Sequence, residues 1–256
     1  EVTVATLIQW LHEDGGRLPE GAPQQCRGHA LTWESPIGGE RVRDRAAAVQ
    51  GPIAAGDYVE PVPPPGDDPA SDLIRYLEAL FRPEERVSYV MESFADADGN
   101  WKPGGRGVCS RSAAEVIERL RKFGSDLGSA IGDWNREAGA WVRVNPVDGQ
   151  GVANDNVTDC RHVLVESDGM PPERQLALIR ELRLPCAAIV HSGGKSIHAI
   201  VRVDAGQDRR LYRERVDYLF RLLAQNGFDV DRQCRNPARL SRLPGVTRGK
   251  ARQYLI

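Results

Sequence analysis

Apolar positions along this chain recur at two spacings, and each marks a kind of element. From Ser112 to Phe123, the residues Ala113, Val116, Ile117 and Leu120 share one face at helical spacing, and Gly124 stops the run. Residues 171–182 repeat the pattern, with Leu176, Ile179 and Leu182 inward and prolines at the start. Helices are also expected over residues 69–81, entered through Asp68-Pro69-Ala70, and over 210–226, ended by Gly227. A short amphipathic helix is expected over residues 2–12, closed by Asp14-Gly15-Gly16. Strand spacing appears over residues 197–203, where Ile197, Ala199, Val201 and Val203 alternate onto one face. Shorter runs at 87–91, 140–144, 162–166 and 186–190 read as further strands, and 96–107 as a turn-rich loop. The order over 162–226 is β-α-β-β-α, the start of an RRM-like or ferredoxin-like sheet. The expected class is therefore α+β, with an additional N-terminal α/β part ahead of that core.

Residues 17–66 are rich in Gly, Pro and polar groups and weakly periodic, ending in the stiff run Pro61-Val62-Pro63-Pro64-Pro65-Gly66. A boundary is expected there, between an N-terminal segment with its linker, 1–66, and the motif-bearing domain, 67–256. The chain starts at Glu1 without methionine, so a fragment or trimmed product is expected.

Composition narrows the classes. With 256 residues, 41% of them hydrophobic, a sizeable core is affordable by size alone. The net charge of −2 excludes a polycation wrapped on nucleic acid, so such contacts must be local. One basic patch stands out: Arg232, Arg235, Arg239, Arg242, Arg248, Lys250 and Arg252. Five scattered cysteines without a C-x-x-C pattern argue against a disulfide framework or zinc ribbon and suit a reducing cytosol. No signal peptide or membrane-length apolar run is evident, so no membrane partner is expected and the location expected is cytoplasmic.

The candidate chemistry lies between Arg161 and Arg248. Glu166 and Asp168 stand two apart at a strand end, where extended chain would project both carboxylates to one side. Such a pair suits Mg²⁺ or Mn²⁺, which take hard oxygen ligands. Asp231, with Asp229 as its rival, is a third acid beside the arginines. Gly194-Lys195-Ser196 mimics the end of a Walker A loop, but position 189 is isoleucine and a strand follows, so a P-loop is rejected. What remains is a hairpin turn with Ser192, Gly194, Lys195 and Ser196, a candidate anion nest. His198 shares its strand face with Ser196 and can reach a phosphate oxygen; His191 is the competitor. Arg239 and Arg242 lie three apart in a loop stiffened by Pro237 and Pro244, and guanidinium suits bidentate phosphate contact.

These motifs, in this order, resemble those of the archaeo-eukaryotic primase superfamily in its phage and plasmid primase-polymerase form. The acidic pair maps onto Glu166 and Asp168, the Ser-x-His motif onto Ser196 and His198, and the later acid onto Asp231 after Val230. Residues 236–245, NPARLSRLPG, resemble that family's Arg-rich signature. The pair here is Glu-x-Asp, where the superfamily more often has Asp-x-Asp or Asp-x-Glu. The resemblance implies two divalent metals on the acids, with Ser196 and His198 holding the nucleotide's triphosphate. It implies a DNA primase and polymerase working on a single-stranded template, a primer strand and nucleoside triphosphates in phage or mobile-element replication. A helicase domain or protein is a further partner that such relatives carry. Two rival readings fit less well. A non-catalytic RRM-like binder would carry sheet aromatics for base stacking, which the strands near Glu166 and Ile197 lack. A replication-initiator nuclease would want paired metal-binding histidines, and His162, His191 and His198 are not adjacent.

Overall fold

The computed structural model describes residues 59–256; the helix expected over residues 2–12 and the segment up to residue 58 lie outside the described residues. The fold is mixed α/β, and every registered strand pair is antiparallel. Helix α1 (Pro69–Leu80) starts where Asp68 caps the backbone N–H of Ala70 (3.0 Å), with Pro69 as its first residue. Helix α2 (Ala113–Phe123) opens on a capping box, in which Ser112 and Glu115 satisfy each other's free backbone N–H. A short α3 (Leu127–Ile131) follows.

A first sheet orders strands β1 (Tyr89–Val90), β4 (Trp141–Arg143) and β8 (Leu240–Arg242) with β4 in the middle. The loop expected over 96–107 is instead partly a hairpin. Strands β2 (Ser93–Ala95) and β3 (Trp101–Pro103) pair across a turn held by Asp96, whose carboxylate accepts from the N–H of Asp98 and Asn100.

The expected β-α-β-β-α order appears as β5 (His162–Val165), α4 (Pro172–Glu181), β6 (Cys186–His191), β7 (Ile197–Arg202) and α5 (Arg209–Gln225). Strand β7 lies between β5 and β6 and is antiparallel to both, as in a split βαβ unit. After the small hairpin β9 (Thr247–Arg248) and β10 (Ala251–Arg252), strand β11 (Tyr254–Leu255) joins the sheet beside β6. A ferredoxin-like sheet puts its fourth strand beside the first, so the full RRM-like order is not completed. Helix α1 packs on β6 and β11, and α4 on β7. Five of the six β7 residues are buried, because both faces of the sheet are covered; the alternation in the sequence marked only one of them.

The proline-rich run is docked. Tyr254 donates its hydroxyl to the Pro63 carbonyl (2.7 Å), Arg252 reaches the Gly66 carbonyl, and Glu60 pairs with Arg180 of α4. Val62 packs on the main core, which runs unbroken through both sheets.

Candidate active site

The two sheets meet where β5 ends, and the candidate residues gather there around a cleft of about 420 Å³. The β5–β7 register pairs Val165 with Ala199, so the next residue of each strand, Glu166 and His198, come side by side. His198 Nε2 lies 2.8 Å from Glu166 Oε2, and Nδ1 lies 3.1 Å from Ser241 Oγ on β8. His198 is buried, with one ring nitrogen on the acid and the other on the second sheet, so its imidazole joins the two sheets at the floor of the cleft.

Asp231 reaches the same corner by a backbone tie: its N–H donates to the Glu166 carbonyl at 2.9 Å. One carboxylate oxygen caps the turn Arg232–Arg235 through the N–H of Gln233 (2.9 Å), and the other receives Arg239 Nη2 at 2.7 Å. The same Nη2 lies 3.5 Å from Glu166 Oε1. Asp229 is not part of this corner; its backbone N–H points at the Met170 sulfur (3.2 Å). Cys234 Sγ completes the group, within 4.8 Å of a carboxylate oxygen of both Glu166 and Asp231.

Burial by itself would raise the Glu166 carboxyl. The charge and hydrogen bond of His198, with the Arg239 guanidinium, outweigh it and hold the group at about 2. Burial and the Glu166 charge push the Cys234 thiol up, so it stays protonated. Hard divalent cations prefer oxygen to a neutral thiol, so the donor set that suits Mg²⁺ or Mn²⁺ is the pair of carboxylates.

Asp168 differs from its expected position. Strand β5 ends at Val165, and the chain bends at residues 168–170. Asp168 lines the same cleft, but its carboxylate is 76% exposed and pairs with Lys195 Nζ at 3.6 Å, outside the Glu166–Asp231–Cys234 group.

The 192–196 turn has two layers. Ser192 and Ser196 are buried: the N–H and hydroxyl of Ser196 both reach Ser192 Oγ at 3.2 Å, which closes the turn. Gly193 has φ +69°, and a Cβ on Gly194 would sit 2.8 Å from Arg248 Nη1, itself 3.2 Å from the Ser192 carbonyl. The serines thus build the turn, and Lys195, with its side chain 74% exposed, is what the turn offers to the cleft. His191 stacks on Tyr254 at a centroid distance of 4.9 Å and does not line the cleft.

Arg242 is buried, donating to the Ala138 carbonyl at 2.8 Å and lying 4.6 Å from the Trp141 ring centroid. Burial and neighbouring Arg248 bring its guanidinium down to about 9, still charged at neutral pH. Sequence reasoning placed Arg248 in the basic patch without giving it a part in the site, and missed Cys234, Trp101 and Trp141. The signal for Trp141 was available: it opens a strand in the conspicuous run Ala138–Pro146, and its cross-strand partner is Arg242.

No family model matches the chain, and no curated protein does. Solved structures match at low identity. The AEP domain of the cyanophage S-2L primase-polymerase (PrimPol) is 16% identical, with TM-score 0.46, over 75% of this chain and 91% of that one. The primase RepB′ is 18% identical, with TM-score 0.43, over 73% of this chain and 55% of its own length. The catalytic domain of primase RepB′ in complex with initiator DNA is 18% identical, with TM-score 0.44, over 74% of this chain and 84% of that one. The chain is thus similar to primases and a primase-polymerase, the class its motifs resemble. Among the described residues no helix is long and apolar enough to cross a membrane.

Proposed function

We propose that this chain is a template-dependent nucleotidyltransferase that makes primers on single-stranded DNA and extends them. The observation that carries the reading is the meeting of the Glu166 and Asp231 carboxylates, from separate elements, at the edge of a cleft that Glu166 lines together with Lys195, Arg239, Arg242 and Arg248. Carboxylates opposite cations are what joining a hydroxyl to a triphosphate requires. Glu166 and Asp231, with Asp168 at the open side, would hold Mg²⁺ or Mn²⁺. Such an ion supplies positive charge that favours loss of the hydroxyl proton and stabilises the departing pyrophosphate.

In this reading the chain's own residues orient the substrates. Lys195 draws the triphosphate in from the open side, while Arg239, Arg242 and Arg248 bind the phosphates and offset charge as the new bond from the 3′-oxygen to the α-phosphorus forms and the α–β anhydride breaks. Ser192, Gly194 and Ser196 hold the turn that carries Lys195. His198 fixes Glu166 and lines the cleft in which the triphosphate would lie. Among the described residues, the run 59–66 carries none of these groups, which supports a catalytic unit beginning near Asp67.

The test is incorporation of labelled nucleotide on a single-stranded DNA template, with and without a primer, in Mg²⁺ or Mn²⁺. Extension, with new chains in the primer-free arm, is expected. Shortening of the DNA with no incorporation would replace this reading with a nuclease, and binding without either reaction with a passive module.

A further inference from the structure

The cleft has a second wall that the phosphate chemistry does not use. Trp101 and Pro103 of β3 line it, and Trp101 packs on the small cluster of Val90, Ala138 and Trp141. The Trp141 ring in turn carries the Arg242 guanidinium at 4.6 Å. Aromatic rings and phosphate-binding cations therefore form one continuous surface, running from the hairpin to the carboxylates. Trp101 is only partly buried, and strands β2 and β3 pair with no third strand among the described residues. An indole left half open on the wall of a charged cleft matches one part of a nucleotide, its flat base.

We infer that Trp101 stacks on the base of the incoming nucleotide, which makes the β2–β3 hairpin the base-holding wall of the cleft. The inference rests on the nucleotidyltransferase reading and names the residue that binds the half of the substrate lacking charge. Register and lining together separate Trp101 from the hairpin's other ring, Phe94. Ala95 faces Trp101, whereas Phe94 faces Lys102, so Phe94 projects from the opposite side of the hairpin. Phe94 is 54% exposed and does not line the cleft. Stacking tolerates every base because every base has a π-face, so this wall would hold the substrate and leave its selection to the template.

The test compares two probes, a nucleoside triphosphate and inorganic tripolyphosphate, each titrated with Mg²⁺ and without template. Trp101→Ala is expected to weaken the nucleotide by roughly tenfold to a hundredfold, the effect of one lost base–ring stack. Tripolyphosphate, which has no base, is expected to bind Trp101→Ala and wild type alike. Trp101→Phe keeps a ring and is expected to stay within a few-fold of wild type, and Phe94→Ala to match it. Equal weakening of both probes by Trp101→Ala, or of neither, overturns the inference. So does a wild type that binds the two probes equally. If wild type binds neither probe, the nucleotidyltransferase reading falls as well.

Discussion

Glu166 and Asp168 stand two residues apart, yet their surroundings have little in common. Glu166 sits in an inner corner where His198, Arg239 and Asp231 interlock and little water reaches. Its side chain is 13% exposed. Asp168 sits on the outer lip, 76% exposed, with Lys195 as a loose partner at 3.6 Å. In the corner each charge is the solvation of the next, so removing one strands the others. On the lip water replaces a lost partner at little cost. Loss of activity after a change in the corner mixes fold with chemistry, whereas the same loss after a change on the lip reports chemistry alone.

The largest contrast should come from removing the two acids in turn. Glu166→Ala leaves His198 and Arg239 short of a partner in a dehydrated site, and roughly 3 kcal/mol or more of folding stability should be lost. Asp168→Ala should cost roughly 1 kcal/mol or less. Both should abolish nucleotide incorporation if both acids hold metal. Denaturant unfolding beside the incorporation assay separates the two effects. A folded Asp168→Ala that still incorporates would remove Asp168 from the metal site and leave the corner to act without it.

Arg239 allows a sharper test of the corner. Its Nη2 lies on the carboxylate oxygens, 2.7 Å from Asp231 and 3.5 Å from Glu166, that a shared cation would take. Guanidinium and cation would therefore compete. Arg239→Gln should bind Mn²⁺ about tenfold or more tighter without nucleotide, since a charge-assisted hydrogen bond of about 1.5–3 kcal/mol is no longer displaced. It should bind nucleotide more weakly. Unchanged or weaker Mn²⁺ binding in a calorimetric titration would show that Arg239 and the ion do not share these oxygens.

Acid should also separate the regions. The Glu166 carboxyl is held at about 2, against an ordinary 4.5. A depressed carboxyl contributes stability that is full above its unfolded value and is lost as pH falls through the folded one. Thermal unfolding of wild type should therefore show a loss between about pH 4.5 and 2 that Glu166→Gln lacks and Asp168→Asn keeps. Parallel curves for wild type and Glu166→Gln would mean that the corner charges are not coupled as the distances imply.

The sequence made the elements and the residue types legible, but not this contrast. The helices at 69–80, 113–123, 172–181 and 209–225 follow from long periodic runs with caps, and β5 to β7 from short apolar runs. The acids and the Arg-rich loop were visible as residue types. Their grouping was not, because it depends on contacts far apart in the chain. Strand β8 is three residues long, and its middle residue, Ser241, is polar; it exists because β4, about a hundred residues earlier, offers it an edge. The β2–β3 hairpin hides in a polar, glycine-containing stretch that reads as loop. The spacing of Glu166 and Asp168 put both on the cleft but not their unequal burial, because the strand ends at Val165 and Asp168 stands at a bend beyond it. Cys234 gave no sign, since a lone cysteine is more often a small core residue than a neighbour of acids.

The smallest effect expected is also the cleanest test of the lip. Lys195 and Asp168 are both about three-quarters exposed, and their 3.6 Å separation is that of a surface pair in water. Lys195→Ala should change folding stability by no more than roughly 0.5 kcal/mol. The proposed role gives it one task, attracting the triphosphate from the open side. A long side chain in solvent binds the ground state and the transition state about equally, so its loss should raise KM a few-fold and leave kcat nearly unchanged. The attraction is screened by salt, so the KM difference should shrink as ionic strength rises towards 1 M, where charges act over only about 3 Å. A large fall in kcat instead would mean that Lys195 contacts the charge developing in the reaction. The lip would then belong with the corner, and exposure would no longer separate binding from chemistry in this cleft.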